Sequence, residues 1–121
     1  MLFLRYNLFT ILWFGVILLL TLTPGAGGDH LGIRFIDKLV HFGLFSVFTL
    51  LMIVGYKKQN SLVSFNLYSI LWSIVLTILI GISIELLQTV IPGRDFDILD
   101  ILFNALGTVV GVFMYYLLYK L

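Results

Sequence analysis

Residues 66–91 read NLYSILWSIVLTILIGISIELLQTVI, with Glu85 as the single charge between Lys58 and the turn at Pro92-Gly93. A run of this length and polarity crosses ~30 Å of hydrocarbon as one helix of ~20 residues. Helix is the expected state, because backbone N–H and C=O groups in lipid must pair within their own segment. The hydroxyls of Ser69, Ser73 and Thr77 are expected to back-bond to that helix. Three further apolar runs accompany this one. Residues 6–23 are closed by Pro24-Gly25 and Gly27-Gly28, and residues 37–55 by Tyr56-Lys57-Lys58-Gln59-Asn60. The fourth run covers residues 98–119. The expected fold is an all-α membrane protein: four transmembrane helices in an antiparallel bundle, with residues 1–121 as one domain.

Composition agrees. The chain is 61% hydrophobic and 11% charged, against roughly 45–50% and about 25% in soluble domains. That excludes a water-soluble globule, and disorder as well, since disordered chains are poor in apolar residues. Four spans in 121 residues leave short loops and no room for a soluble catalytic domain. A net charge of +1 gives no electrostatic case for nucleic acid. The absence of cysteine excludes disulfides, thiolate metal sites and a cysteine nucleophile. There is no Walker loop, G-x-S-x-G or H-E-x-x-H motif. The first run could instead be a signal peptide, but Arg5 is the only charge before it and no A-x-A site follows, so a retained span is the favoured reading.

With the N-terminus cytoplasmic, Arg5, Lys57, Lys58 and Lys120 lie inside, and Arg34, Lys38 and Arg94 outside. This slight bias places both termini in the cytoplasm. Tyr6, Tyr56, Tyr68, Tyr115, Tyr116 and Tyr119 then share the inner interface, as an aromatic belt does. Asp29, Asp37, Glu85, Asp95, Asp97 and Asp100 fall on the outer side or within its reach. The inner end reads as an anchor and the outer end as a site.

Three acid-bearing helix faces meet at that outer end. Asp37 and His41 are four residues apart, hence on one face, with His41 about 6 Å deeper. Gly81, Glu85 and Gln88 share a face, and Glu85 sits roughly 9 Å below the end of its helix. Asp97, Asp100 and Asn104 share another, and Pro92-Gly93-Arg94-Asp95 joins these two helices tightly. Ionisable groups inside a span are costly and should face one another in the bundle interior. Imidazole is the side chain whose free pKa lies nearest neutrality. Polar glue between helices is the plainer reading for Gln88 or Asn104 alone. The combination of Asp37, His41, Glu85, Arg94, Asp97 and Asp100 exceeds what packing requires.

Other features read as structure. Gly107-x-x-x-Gly111 signals close helix packing, within the chain or at a dimer face that would make a helix-mediated homo-oligomer. Phe42, Phe45 and Phe48 read as core or lipid-facing, and Asp29 and His30 as solvated in a glycine-rich loop. A weak internal echo pairs Asp37/His41 with Asp100/Asn104, followed by Gly43 and Gly107.

Asp37-Lys38-x-x-His41-Phe42, Glu85-x-x-Gln88, Pro92-Gly93-Arg94-Asp95-Phe96-Asp97-x-x-Asp100 and Asn104-x-x-Gly107-x-x-x-Gly111 together resemble the VanZ-like family, over roughly residues 21–111. That family is named for a protein associated with low-level teicoplanin resistance. Its members are small integral membrane proteins, distantly similar to enzymes that exchange or cleave lipid head groups, such as phosphatidylserine synthases. The resemblance implies a multi-pass protein of the bacterial cytoplasmic membrane. Its partner would be a membrane lipid or a prenyl-linked cell-wall precursor, with no nucleic acid.

On that footing the expected chemistry is a metal-assisted transfer or hydrolysis at a head-group phosphodiester. Asp97, Asp100 and Glu85 would hold one divalent cation, Ca²⁺ or Mg²⁺, through oxygen ligands. His41 would act as acid, base or nucleophile oriented by Asp37, with Glu85 also catalytic. Arg94 and Lys38 would hold phosphate oxygens, while Gln88 and Asn104 position the head group. The alternative is a non-catalytic binding module for lipid-linked precursors or glycopeptides. A proton or ion path ranks last, because the inner halves of the spans carry little beyond apolar residues, Ser, Thr and Tyr.

Overall fold

The computed structural model describes residues 2–22, 31–59, 62–92 and 96–119, all helical apart from short connections. The helices are α1 (Leu2–Leu22), α2 (Leu31–Lys58), α3 (Val63–Leu67), α4 (Ser69–Gln88) and α5 (Ile98–Tyr119). Four of them, all but the five-residue α3, are long and apolar enough to cross a membrane. The chain is a multi-pass membrane protein.

The helices α4 and α5 are turned inside out relative to water-soluble ones. On α4 the buried face is Ser69, Ser73, Thr77, Gly81, Ile84, Glu85 and Gln88, while Leu71, Val75, Leu79 and Leu86 are exposed. On α5 the buried face is Asp100, Asn104, Gly107, Thr108, Gly111 and Tyr115, with Leu102, Val109 and Phe113 outward. Lipid solvates leucine as well as a protein core does, so the inward face selects small and hydrogen-bonding residues instead.

The α2 helix is the centre of the bundle. In its spanning window 56% of residues are buried, against 17–28% in the other three, which makes it the element the others pack around. Leu44, Phe45, Phe48, Met52 and Tyr56 of α2 form the apolar core with Ile17 and Ile84. Consecutive spans run antiparallel: Trp13 Nε1 donates to Leu44 O at 2.9 Å between α1 and α2, and Thr49 Oγ1 meets Thr77 Oγ1 at 3.4 Å between α2 and α4.

The most extensive interface joins α2 and α5, which lie parallel. A Cβ on Gly107 would stand 2.5 Å from Phe42 O, and one on Gly111 2.5 Å from Ser46 O. Any side chain at either position therefore separates the two backbones. The Gly107-x-x-x-Gly111 pair makes its close approach within the chain. Gly43 has nothing within 4 Å of an added Cβ, so the glycine half of the internal echo has no structural counterpart.

Three local expectations change. The second helix starts at Leu31 rather than 37, because nothing between Gly32 and Asp37 breaks a helix; the first charge marked lipid depth, not helix start. The third run is interrupted at Tyr68 (φ −110°, ψ 38°), which separates α3 from α4. The reason is Asn66, whose Nδ2 donates to Lys57 O and Gln59 O at 2.8 Å each and holds α3 against the end of α2. Ser69 and Ser73 do not back-bond, and Thr77 Oγ1 donates to Met52 Sδ at 3.4 Å instead. Asp29, His30 and the Pro24 to Gly28 closure lie outside the described residues.

Candidate functional site

The starts of α2 and α5 and the end of α4 converge at one end of the bundle. The α5 helix begins there because Asp97 caps it: its Oδ1 accepts Leu99 N at 2.9 Å, satisfying one of the free N–H groups of the first turn. Glu85, fully buried on α4, accepts the N–H of Asp97 through Oε1 at 2.8 Å. A glutamate from a neighbouring helix thus takes the part that the fourth residue of a capping box takes within one helix. This fixes the α4–α5 corner and the register of everything α5 presents.

Lys38, on the first turns of α2, reaches across to α5. Its Nζ lies 2.8 Å from Asp97 Oδ2 and 3.5 Å from Asp100 Oδ1. One turn deeper, His41 is 1% exposed. Its Nδ1 is 3.0 Å from Asn104 Oδ1. A carbonyl oxygen accepts, so Nδ1 carries the proton and donates, and Nε2 is the free edge of the ring. Phe45, one turn below, stacks on the imidazole at 6.5 Å between centroids and 7° between planes, holding the ring's tilt.

The free edge faces two carboxylates. His41 Nε2 is 3.8 Å from Asp37 Oδ2 and 4.0 Å from Asp100 Oδ2. Both separations exceed hydrogen-bond length. Among the described residues His41 Nε2, Asp100 Oδ1, Glu85 Oε2 and Asn104 Nδ2 are buried without a hydrogen-bond partner. Buried polar groups are rarely left so, and four at one end of a bundle mark a place shaped for something polar.

Asp37, Lys38, His41, Asp97, Asp100 and Asn104 are brought together, with Glu85 joined to them through the Asp97 N–H. Gln88 is engaged elsewhere: its Nε2 donates to Thr21 O at 2.6 Å and ties α4 to α1. Arg94 lies outside the described residues. Among the described residues, the metal-competent group the geometry assembles is Asp37, His41 and Asp100, each with one ligand atom within 4.8 Å of the others. The expected oxygen set is engaged differently: Asp97 by Lys38 and the Leu99 N–H, and Glu85 by the Asp97 N–H. Phe45 was legible only as core or lipid-facing. Its spacing of four from His41 was the available sign that it supports the ring.

A family model described as VanZ/LLP1 matches residues 3–119, nearly the whole chain. No curated protein and no solved structure matches the chain.

Proposed function

The chain belongs to the VanZ/LLP1 family, and from that premise we propose that it recognises and turns over a phosphate-linked head group at the membrane surface. The head group is that of a phospholipid or a prenyl-linked cell-wall precursor. The observation that carries the reading is the free Nε2 edge of His41, buried between the carboxylates of Asp37 and Asp100 and beside the Lys38 ammonium. A phosphodiester needs cations to offset its charge and a group that activates an attacking hydroxyl. Lys38 serves the first need, and Arg94 is the further cation the sequence offers. The Asp37–His41–Asp100 edge serves the second. In the reaction a new P–O bond forms to water or an alcohol, the bond to the departing alcohol breaks, and the proton of the attacking hydroxyl passes to the leaving oxygen. Asn104 and Phe45 position the imidazole, and the apolar chain of the substrate stays in the bilayer beside the outward leucine faces.

We place this site on the outer leaflet of the bacterial cytoplasmic membrane, since Arg5, Lys57, Lys58 and Lys120 favour a cytoplasmic location for the opposite end. A change in teicoplanin susceptibility would follow if the head group belongs to a cell-wall precursor.

The test compares the lipids of cells expressing wild type, His41→Ala or Asp100→Asn at matched membrane levels, by mass spectrometry of phospholipids and prenyl-linked precursors. One species is expected to change with wild type alone, and its identity names the substrate. Identical lipid profiles from folded proteins overturn turnover. The site then reads as a binding module, to be assayed by capture of the same lipids.

A further inference from the structure

We infer that Asp37, His41 and Asp100 form a binding site for one divalent transition cation of the zinc or manganese class. The inference rests on the same site as the proposed function and names what meets the free edge of His41.

Three independent features point to a cation there. The first is the edge itself. Nε2 is buried, unpartnered among the described residues and aimed between Asp37 Oδ2 at 3.8 Å and Asp100 Oδ2 at 4.0 Å. Both oxygens stand beyond hydrogen-bond length from Nε2, so neither partners it directly. The distances suit a shared ion. Tetrahedral zinc with bonds of ~2.0–2.1 Å sets its ligand atoms roughly 3.4 Å apart. Closing the two His41–carboxylate separations onto zinc takes an inward movement of about half an ångström each, and the trio, whose atoms lie within 4.8 Å of one another, closes with shifts of at most about 1.4 Å. Of the three, Asp37 has the most accessible side chain, at 34%.

The second feature is the support behind the ligands. A metal-bound imidazole nearly always donates its other N–H to an oxygen, which fixes tautomer and ring orientation. Asn104 Oδ1 accepts from His41 Nδ1 at 3.0 Å in that role, and Phe45 holds the ring plane. On the other side Lys38 approaches Asp100 through Oδ1 at 3.5 Å, leaving Oδ2 directed at His41. Each of the two buried ligands is thus oriented from behind with its free atom turned to the common point.

The third is the donor chemistry. One imidazole nitrogen with two carboxylate oxygens is a borderline set that suits zinc or manganese. Calcium and magnesium prefer oxygen ligands throughout. Three protein ligands leave a position for a water or a phosphate oxygen, as in catalytic rather than structural sites.

The experiment uses the full chain purified in detergent, stripped with chelator and titrated with Co²⁺, then Zn²⁺. Wild type is expected to take up one Co²⁺ per chain with a visible absorption band that Zn²⁺ abolishes by displacement. His41→Ala and Asp100→Asn are expected to weaken binding at least 100-fold, and Asn104→Ala about 10–100-fold, as loss of a supporting partner does. Glu85→Gln and Asp97→Asn are expected to retain it. Size-exclusion and circular dichroism confirm folding of each variant, and the wild-type titration decides the matter even if His41→Ala does not fold. Absence of a saturable Co²⁺ band in wild type overturns the inference. So does binding that survives His41→Ala but is lost in Glu85→Gln, which would return the ion to the oxygen set. If no metal binds yet the lipid profile still depends on His41, the inference fails and the proposed function stands. If metal binds and no lipid changes, the reverse holds.

Discussion

The two ends of the bundle handle buried polarity in opposite ways. At the end holding Tyr56, Tyr68 and Tyr115, the amides of Gln59 and Asn66 close on neighbouring backbone. Gln59 exchanges two hydrogen bonds with Leu62, both 2.8 Å, and Asn66 takes the carbonyls of Lys57 and Gln59. Phe3, Tyr56, Phe65 and Trp72 pack around this knot, Tyr56 and Phe65 at 4.9 Å and Phe65 and Trp72 at 5.0 Å. Among the described residues, those left unpartnered in that half are neutral: the amide oxygen of Asn7 and the hydroxyls of Ser69 and Ser73. At the other end the unpartnered atoms belong to His41, Asp100, Glu85 and Asn104. Unsatisfied ionisable groups are far more costly to bury than hydroxyls. Among the described residues, one end leaves only neutral groups unpartnered, and the other leaves ionisable ones.

Substitutions can break this contrast. The largest effect tests the scaffold both ends share. Gly107→Leu forces α2 and α5 apart and is expected to cost about 3 kcal/mol or more, read as loss of monodisperse, cooperatively melting protein in detergent. Near-normal melting would show that the two helices are free to separate, and neither end would then be rigid. Next is His41→Ala, expected to lower head-group turnover about 10²–10⁴-fold while the melting temperature holds within a few degrees. A collapse in stability instead would place His41 with the closed end.

Asn66→Ala probes the other side of the contrast. It strips the carbonyls of Lys57 and Gln59 of their donor, at a cost of about 1–3 kcal/mol. Thermal melting should fall while the lipid profile of expressing cells is unchanged; a changed profile would couple the ends. Smallest is the cap. Asp97→Ala is expected to lose about 1 kcal/mol in chemical unfolding, while Asp97→Asn, which keeps an acceptor for the Leu99 N–H, loses only a few tenths. Equal losses would assign the effect to the Lys38 ion pair rather than to the cap.

Four spans were legible because lipid imposes one rule on every backbone group, and apolar runs interrupted by Pro, Gly and paired lysines obey it visibly. The convergence of Asp37, His41, Asp97, Asp100 and Asn104 was legible for a related reason: helical spacing assigns them to faces, and desolvation turns those faces inward. What spacing cannot supply is partner choice. Lys38 was read as a phosphate ligand, yet it also bridges Asp97 and Asp100, a relation between helices that no one-dimensional pattern encodes. Gln88 shares its face with Glu85 but answers to Thr21 on α1, because the end of α1 happens to pass there. The break at Tyr68 was hidden for the same reason. It depends on Asn66 reaching back to a helix end that the linear sequence leaves several residues away.

The tight seam between α2 and α5 also sets an order of events during biosynthesis. A ribosome delivers Asp37, Lys38 and His41 to the insertion machinery well before Gly107 and Gly111 emerge. Until α5 follows, the helix that becomes the centre of the bundle has its largest docking surface bare and its imidazole without the asparagine that orients it. A nascent chain stalled before α5 therefore leaves that face of α2 uncovered. The assembled chain hides that face. The site comes into being in the step that docks α5 on α2.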